Sequence, residues 1–83
     1  MVRTSFDGRE IIKALTSYDF RIVGRKGSHV KLRLDRPDLS QPRVVTVPLK
    51  DRDRISRDTH RSIAEQCGAN DFHEWCAWIE ENC

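Results

Sequence analysis

The sequence has no run of about 18 apolar residues, the length a membrane-spanning helix needs. Its opening residues, MVRTSFDGRE, lack the apolar stretch of a secretory signal, so the expected location is the cytoplasm. Cysteine is sparse and odd in number: Cys67, Cys76 and Cys83. No two of them form a C-x-x-C pair, and no histidine stands at zinc-finger spacing from them. Neither a thiol redox motif nor a metal site is expected. The thiols read as reduced, with Cys67 and Cys76 on core-facing helix positions and Cys83 at a frayed end. There is no internal repeat, no low-complexity segment and no linker. At 83 residues the chain makes one small domain with one core. That is too short for a cofactor domain beside a substrate domain, and no cofactor is expected.

Basic residues are missing from one stretch altogether. Residues 64–83 carry five acidic groups and no Lys or Arg, a net of −5. Residues 21–63 carry twelve Lys or Arg against five Asp, a net of +7, while residues 1–20 balance at 0. The overall charge of +2 therefore hides a cationic middle and an anionic tail. A clustered cationic region is the electrostatic footprint of a polyanion binder. The blander reading is a solvated surface.

What is present divides cleanly by period. Asp7 followed three residues later by Glu10 fits a capping box. Ile11, Ile12 and Leu15 then share one helical face with Ala14 beside them, predicting a helix from Gly8 to about Tyr18. Phe20 to Arg25 predicts a strand with Phe20 and Ile22 on one side, turning at Lys26-Gly27. Val30, Leu32 and Leu34 alternate with His29, Lys31 and Arg33, a strand with one apolar and one basic face. The stretch from Asp35 to Pro42 is a loop. Arg43 to Val47 is a third strand ended by Pro48, and a charged connection from Lys50 to Arg54 follows. Ser56 caps a second helix with Ile63, Ala64 and Cys67 inward and Gly68 as its stop. Asn70 or Asp71 caps a third, in which Phe72, Trp75, Cys76, Ile79 and Cys83 make an amphipathic stripe with Trp78 on its margin. At helical spacing these aromatics read as core rather than as base-stacking platforms. His60 reads as a surface or core-edge group, with a partner acid as the sharper alternative, and His73 as a surface group.

This order predicts an α+β fold: α-β-β-β-α, a two-layer sandwich like that of double-stranded-RNA-binding domains, with an added C-terminal helix. Residues 1–69 would form the core unit. Residues 70–83 would be a helical extension packed on the same domain.

The stretch FRIVGRKGSHVKLRL, residues 20–34, carries the chemistry. RNA supplies its own nucleophile, the 2′-OH. What a protein adds is a group to move that proton and cations to offset charge on the phosphate. Histidine suits the first task because its unperturbed pKa of about 6.5 lies near working pH. His29 is the candidate. Arg25, Lys26, Lys31 and Arg33 are candidate phosphate contacts. Gly27 lets backbone approach phosphate, and Ser28 offers one hydrogen bond. Lys50 is a further candidate phosphate contact.

The capped G-R-E-I-I-K-A-L helix, the R-K-G-S-H-V turn, the V-T-V-P-L strand and the R-S-I-A-E-Q-C-G helix together resemble the HicA toxins over about residues 5–69. The resemblance implies a double-stranded-RNA-binding-domain-like fold and metal-independent cleavage of mRNA. It also implies inhibition by a HicB-type antitoxin, and an active-site histidine at His29 in one motif with Gly27 and Ser28. Three positions depart from the family pattern. Lys50 stands where many members carry a second histidine, His60 where an apolar residue is usual, and residues 70–83 extend past the minimal core. Two other functions fit the same residues: a non-catalytic RNA-binding module, and an interaction domain whose cationic face takes an acidic protein.

Overall fold

The first helix begins where its caps put it. The Asp7 carboxylate accepts the Glu10 N–H at 2.9 Å, and the Glu10 carboxylate accepts the Asp7 N–H at 3.1 Å, satisfying two donors that a helix start leaves orphaned. The computed structural model describes residues 3–36, 40–49 and 55–83. Its elements are α1 (Gly8–Ser17), β1 (Arg21–Lys26), β2 (His29–Leu34), β3 (Arg43–Pro48), α2 (Arg57–Gln66) and α3 (Phe72–Asn82). The three strands form one antiparallel sheet in the order β1-β2-β3. This is an α+β fold of the double-stranded-RNA-binding-domain type with a helix added at its C-terminal end. α1 and α2 pack on the sheet, and α3 packs on α1 and α2.

The ends of α1 and β1 differ from expectation by one residue each. Asp19 adopts a left-handed φ of +71°. The Phe20 N–H then reaches back to the Leu15 carbonyl at 3.2 Å, the bond that closes a Schellman-type helix end. Phe20 and Leu15, both buried, supply the apolar contact that accompanies it. α1 therefore stops at Ser17, and β1 starts after Phe20.

One face of the sheet supplies the core. Val30, Leu32 and Leu34 of β2 and Val45 and Val47 of β3 are buried with Phe6, Ile11, Ala14, Leu15 and Phe20. Ile63 and Ala64 of α2 and Trp75, Cys76 and Ile79 of α3 complete the cluster. Ile22 lies on the core side with Phe20, as expected, but is not covered. It shares the Leu32 side of the sheet, yet 55% of its surface is exposed, because it stands on the edge strand where the space between β1 and α1 is left open.

Ser56 caps α2, accepting the Thr59 N–H. Asp71 rather than Asn70 caps α3, accepting the His73 and Glu74 N–H groups at 2.8 and 3.1 Å. An isolated helix of this length is marginal in water. The extra acidic charge of residues 64–83 does not prevent docking, because burying side chains such as Trp75 and Ile79 is worth roughly 1.5–3 kcal/mol each, more than exposed like charges cost. Trp78 is half-buried, edge-on to Tyr18 at 5.7 Å. His73 is exposed. Cys67 and Cys83 are half-buried and Cys76 is buried. Cys83 is tied down rather than frayed, its N–H donating to the Ile79 carbonyl at 2.9 Å.

His60 is not a surface group. It is 1% exposed and sits among Phe6, Phe72 and Trp75, with Phe72 edge-on at 4.8 Å. Its Nε2 accepts the Trp75 indole N–H at 2.9 Å. To accept, that nitrogen must be unprotonated. Burial lowers the imidazole pKa from its ordinary 6.5, opposed in smaller measure by a hydrogen bond with the Thr4 backbone. The histidine is held neutral in the core because α3 brings an indole donor to it.

Two outcomes follow. A buried neutral histidine takes up a proton only on unfolding, so its contribution to stability is complete above about pH 6.5 and falls as pH drops below that value. The slope is at most ~1.4 kcal/mol per pH unit. His60→Gln keeps an acceptor but cannot titrate, and urea titrations between about pH 5 and 7.5 will show a flatter profile for the variant than for the parent. At the end of α1, Asp19→Gly will raise stability by roughly 0.5–1 kcal/mol, since glycine adopts a positive φ without steric cost.

Candidate functional site

The turn between β1 and β2 decides where His29 points. Lys26 pairs with His29 across a loop of Gly27 and Ser28. Gly27 has φ +59° and Ser28 does not share the positive sign, the type II′ pattern of a two-residue hairpin. β1 therefore runs on to Lys26, and the turn lies one residue later than the sequence suggests. The Ser28 carbonyl also accepts the Leu49 N–H, so the turn is anchored to the chain leaving β3.

From that turn three cross-strand rows are set on the side of the sheet away from the core. The first is Lys26, His29 and Pro48; the second Gly24, Lys31 and Thr46; the third Arg21, Arg33 and Val44. His29, Lys31 and Arg33 are all exposed while Val30, Leu32 and Leu34 between them are buried. Successive rows lie about 7 Å apart, and directly paired Cα atoms about 4.5–5.5 Å apart. The Lys26 ammonium is thus within reach of whatever the His29 imidazole touches. Arg33 donates to the Asp35 carboxylate at 3.0 Å. That pair is exposed and worth at most ~1 kcal/mol, so a phosphate can displace it.

Arg25 is the candidate that the register moves away. Plain alternation would carry Ile22 and Lys26 to one face. A bulge between Ile22 and Gly24 inserts one residue, so Ile22 sides with Leu32 and Lys26 with His29. Arg25 then pairs with Val30 on the helix side, and its Nε–H folds back to the Gly27 carbonyl at 3.3 Å. Arg21 and Thr46 take places beside Arg33 and Lys31 that sequence reading missed. Counting back through the two-residue loop, with Gly24 read as a bulge, would have found Arg21. Lys50 lies outside the described residues.

Gly8, the first residue of α1, fixes the far end of the first row. A Cβ there would overlap the Pro48 carbonyl oxygen and come within 3.3 Å of the Leu49 Cα. The helix start can rest on the end of β3, beside His29, only because that Cβ is missing.

Two of the three thiols are poor nucleophiles. Burial pushes the Cys67 thiol up to about 12, with Arg43 only partly opposing, and burial also raises Cys76. Neither is a thiolate at neutral pH. Among the described residues no three His, Cys, Asp or Glu side chains gather as a metal ion would need, and no helix is long and apolar enough to cross a membrane.

A family model described as the HicA toxin of bacterial toxin–antitoxin systems matches residues 8–69. The chain belongs to the HicA toxin family. No curated protein and no solved structure matches it. HicA toxins are in general RNA-cleaving nucleases that pair with HicB antitoxins. The match runs from the first residue of α1 to just past Gly68, so it includes the turn that carries His29 and leaves α3 outside.

Three glycine substitutions test this geometry. Gly8→Ala will cost about 1–3 kcal/mol, as overpacking against backbone does. Gly27→Ala will cost about 1 kcal/mol through its left-handed φ. Gly24, with nothing within 4 Å of an added Cβ and no positive φ, will accept Ala within about 0.5 kcal/mol. Urea denaturation of the three variants gives the ranking.

Proposed function

We propose that the protein is an mRNA endoribonuclease acting without a metal ion, the toxin partner of a HicB-type antitoxin, with His29 as its acid–base group. The observation that carries this reading is the first cross-strand row. An exposed imidazole at the start of the central strand is paired with Lys26 and followed on the same side by Lys31 and Arg33.

RNA bound along this basic face presents a phosphodiester at His29. The imidazole takes the proton of the 2′-OH as the 2′-oxygen bonds to phosphorus. The bond from phosphorus to the 5′-oxygen breaks, and that oxygen leaves with a proton from water. The products are a 2′,3′-cyclic phosphate and a 5′-hydroxyl. Lys26 and Lys31 offset charge gathering on the phosphate oxygens. Gly27 lets the backbone come close, and the Ser28 hydroxyl donates to a phosphate oxygen. Arg33, once released from Asp35, holds a flanking phosphate. Lys50, where many family members carry histidine, supplies charge to the phosphate rather than a second imidazole. The work is cytoplasmic, where mRNA and antitoxin are. Residues 1–69 form the RNA-cleaving unit, and residues 70–83 are an extension that completes its helix layer.

The test is cleavage of a long mRNA in EDTA with end mapping. The parent will cut and leave cyclic or 3′-phosphate ends. His29→Ala will be slower by about 10²–10⁴-fold, the usual worth of general acid–base help. The variant will bind RNA nearly as well, because phosphate contacts dominate affinity. Equal cutting by both proteins would remove His29 from the chemistry. Salt-sensitive binding with no cutting by either would leave an RNA-binding module.

A further inference from the structure

The register that gathers His29 and Lys31 on one side of the sheet opens a second surface on the other. Between α1 and β1 lies a groove of about 510 Å³. Its floor is apolar: Ile12, Ile22, Val30 and Leu49. Its rim is cationic: Arg9 and Lys13 from α1 and Arg25 from β1. Among the described residues no carboxylate lines it. Ile22 is 55% exposed and the neighbouring Val23 is 50% exposed, and no described strand lies outside β1. Large aliphatic side chains left open at a sheet edge mark a place where something docks.

The lining decides between ligands. Single-stranded RNA is held by aromatic platforms that stack its bases, as well as by cations. Among the described residues no aromatic side chain lines this groove, so it offers a nucleotide charge without a surface to stack on. A protein segment fits both features at once. A bulky apolar side chain fills the floor, and flanking carboxylates meet Arg9, Lys13 and Arg25. We propose that this groove is a protein-docking site for a short acidic segment bearing a bulky apolar residue. It is separate from the His29 side of the sheet. The bulge that moves Arg25 to the helix side builds the groove's rim with the same residue. The site does not depend on whether the protein cleaves RNA.

The test is a ¹⁵N–¹H shift titration of the whole protein with three probes. The first is an acetylated, amidated Asp-Glu-Leu-Phe-Glu-Asp peptide. The second is the same peptide with lysine at every acidic position, and the third is a uridine hexanucleotide. The acidic peptide will shift the amides of Arg9, Lys13, Thr16, Ile22 and Arg25 at sub-millimolar to millimolar concentration and leave Lys31 and Thr46 in place. The lysine peptide will not. Ile22→Glu and Lys13→Glu, both at exposed positions outside the core, will each weaken the acidic peptide at least fivefold while keeping the parent's spectrum elsewhere. The proposal fails if both peptides shift the groove alike, if the acidic peptide shifts Lys31 and Thr46 instead, if the hexanucleotide is what moves the groove amides, or if nothing moves at millimolar peptide.

Discussion

A two-residue turn sets almost everything about this sheet. Strand side chains alternate with a period of two, so a slip of one residue would send each of them to the opposite face. Gly27 at a positive φ closes the hairpin with Lys26 opposite His29, and no other register is compatible with that loop length. Val30, Leu32 and Leu34 then point at the helices, and His29, Lys31 and Arg33 point away. The hydrophobic term enforces the same register from the other side: three large side chains at roughly 1.5–3 kcal/mol each would be lost to solvent by a slip. Core stability and the placement of the histidine are thus one constraint, held by a single pair of residues.

The bulge at Val23 and Gly24 is the complementary device. It allows the first strand to obey two demands that strict alternation sets against each other, Ile22 on the apolar side and Lys26 on the side of His29. The cost is a β1 that hardly enters the core: none of its residues is buried, and Phe20, just before it, does the anchoring. An edge strand that contributes charge and exposed aliphatics rather than core volume leaves one side of this small domain built for contact.

Much of this was legible in the chain. The capping box and caps, the apolar periods of α1, β2 and α3, and the glycine stop after α2 depend on neighbours within four residues, and such local chemistry survives into the fold. The strand opening at His29 was equally local, although the turn before it falls one residue later than its sequence suggests. What was illegible depended on partners far along the chain. The side on which Arg25 falls could not be read, because a bulge is a property of a strand pair and not of one strand. His60 looked peripheral because nothing near it in sequence supplies a donor; Trp75, fifteen residues on, does. Asp19 hid a helix end because aspartate, unlike glycine, does not advertise a positive φ.

The pairing of His60 with Trp75 also says something about inheritance. One residue lies within the stretch that matches the family and the other lies beyond it. Trimmed to the shared core, this chain would keep an imidazole facing the hole left by an indole, and Ile11, Ala14 and Leu15 would lose the cover of α3. Fitted with the same tail, a relative with an aliphatic residue at the position of His60 would bury an indole N–H with nothing to receive it. The tail and position 60 are therefore energetically one unit: a change in either leaves the other without its partner.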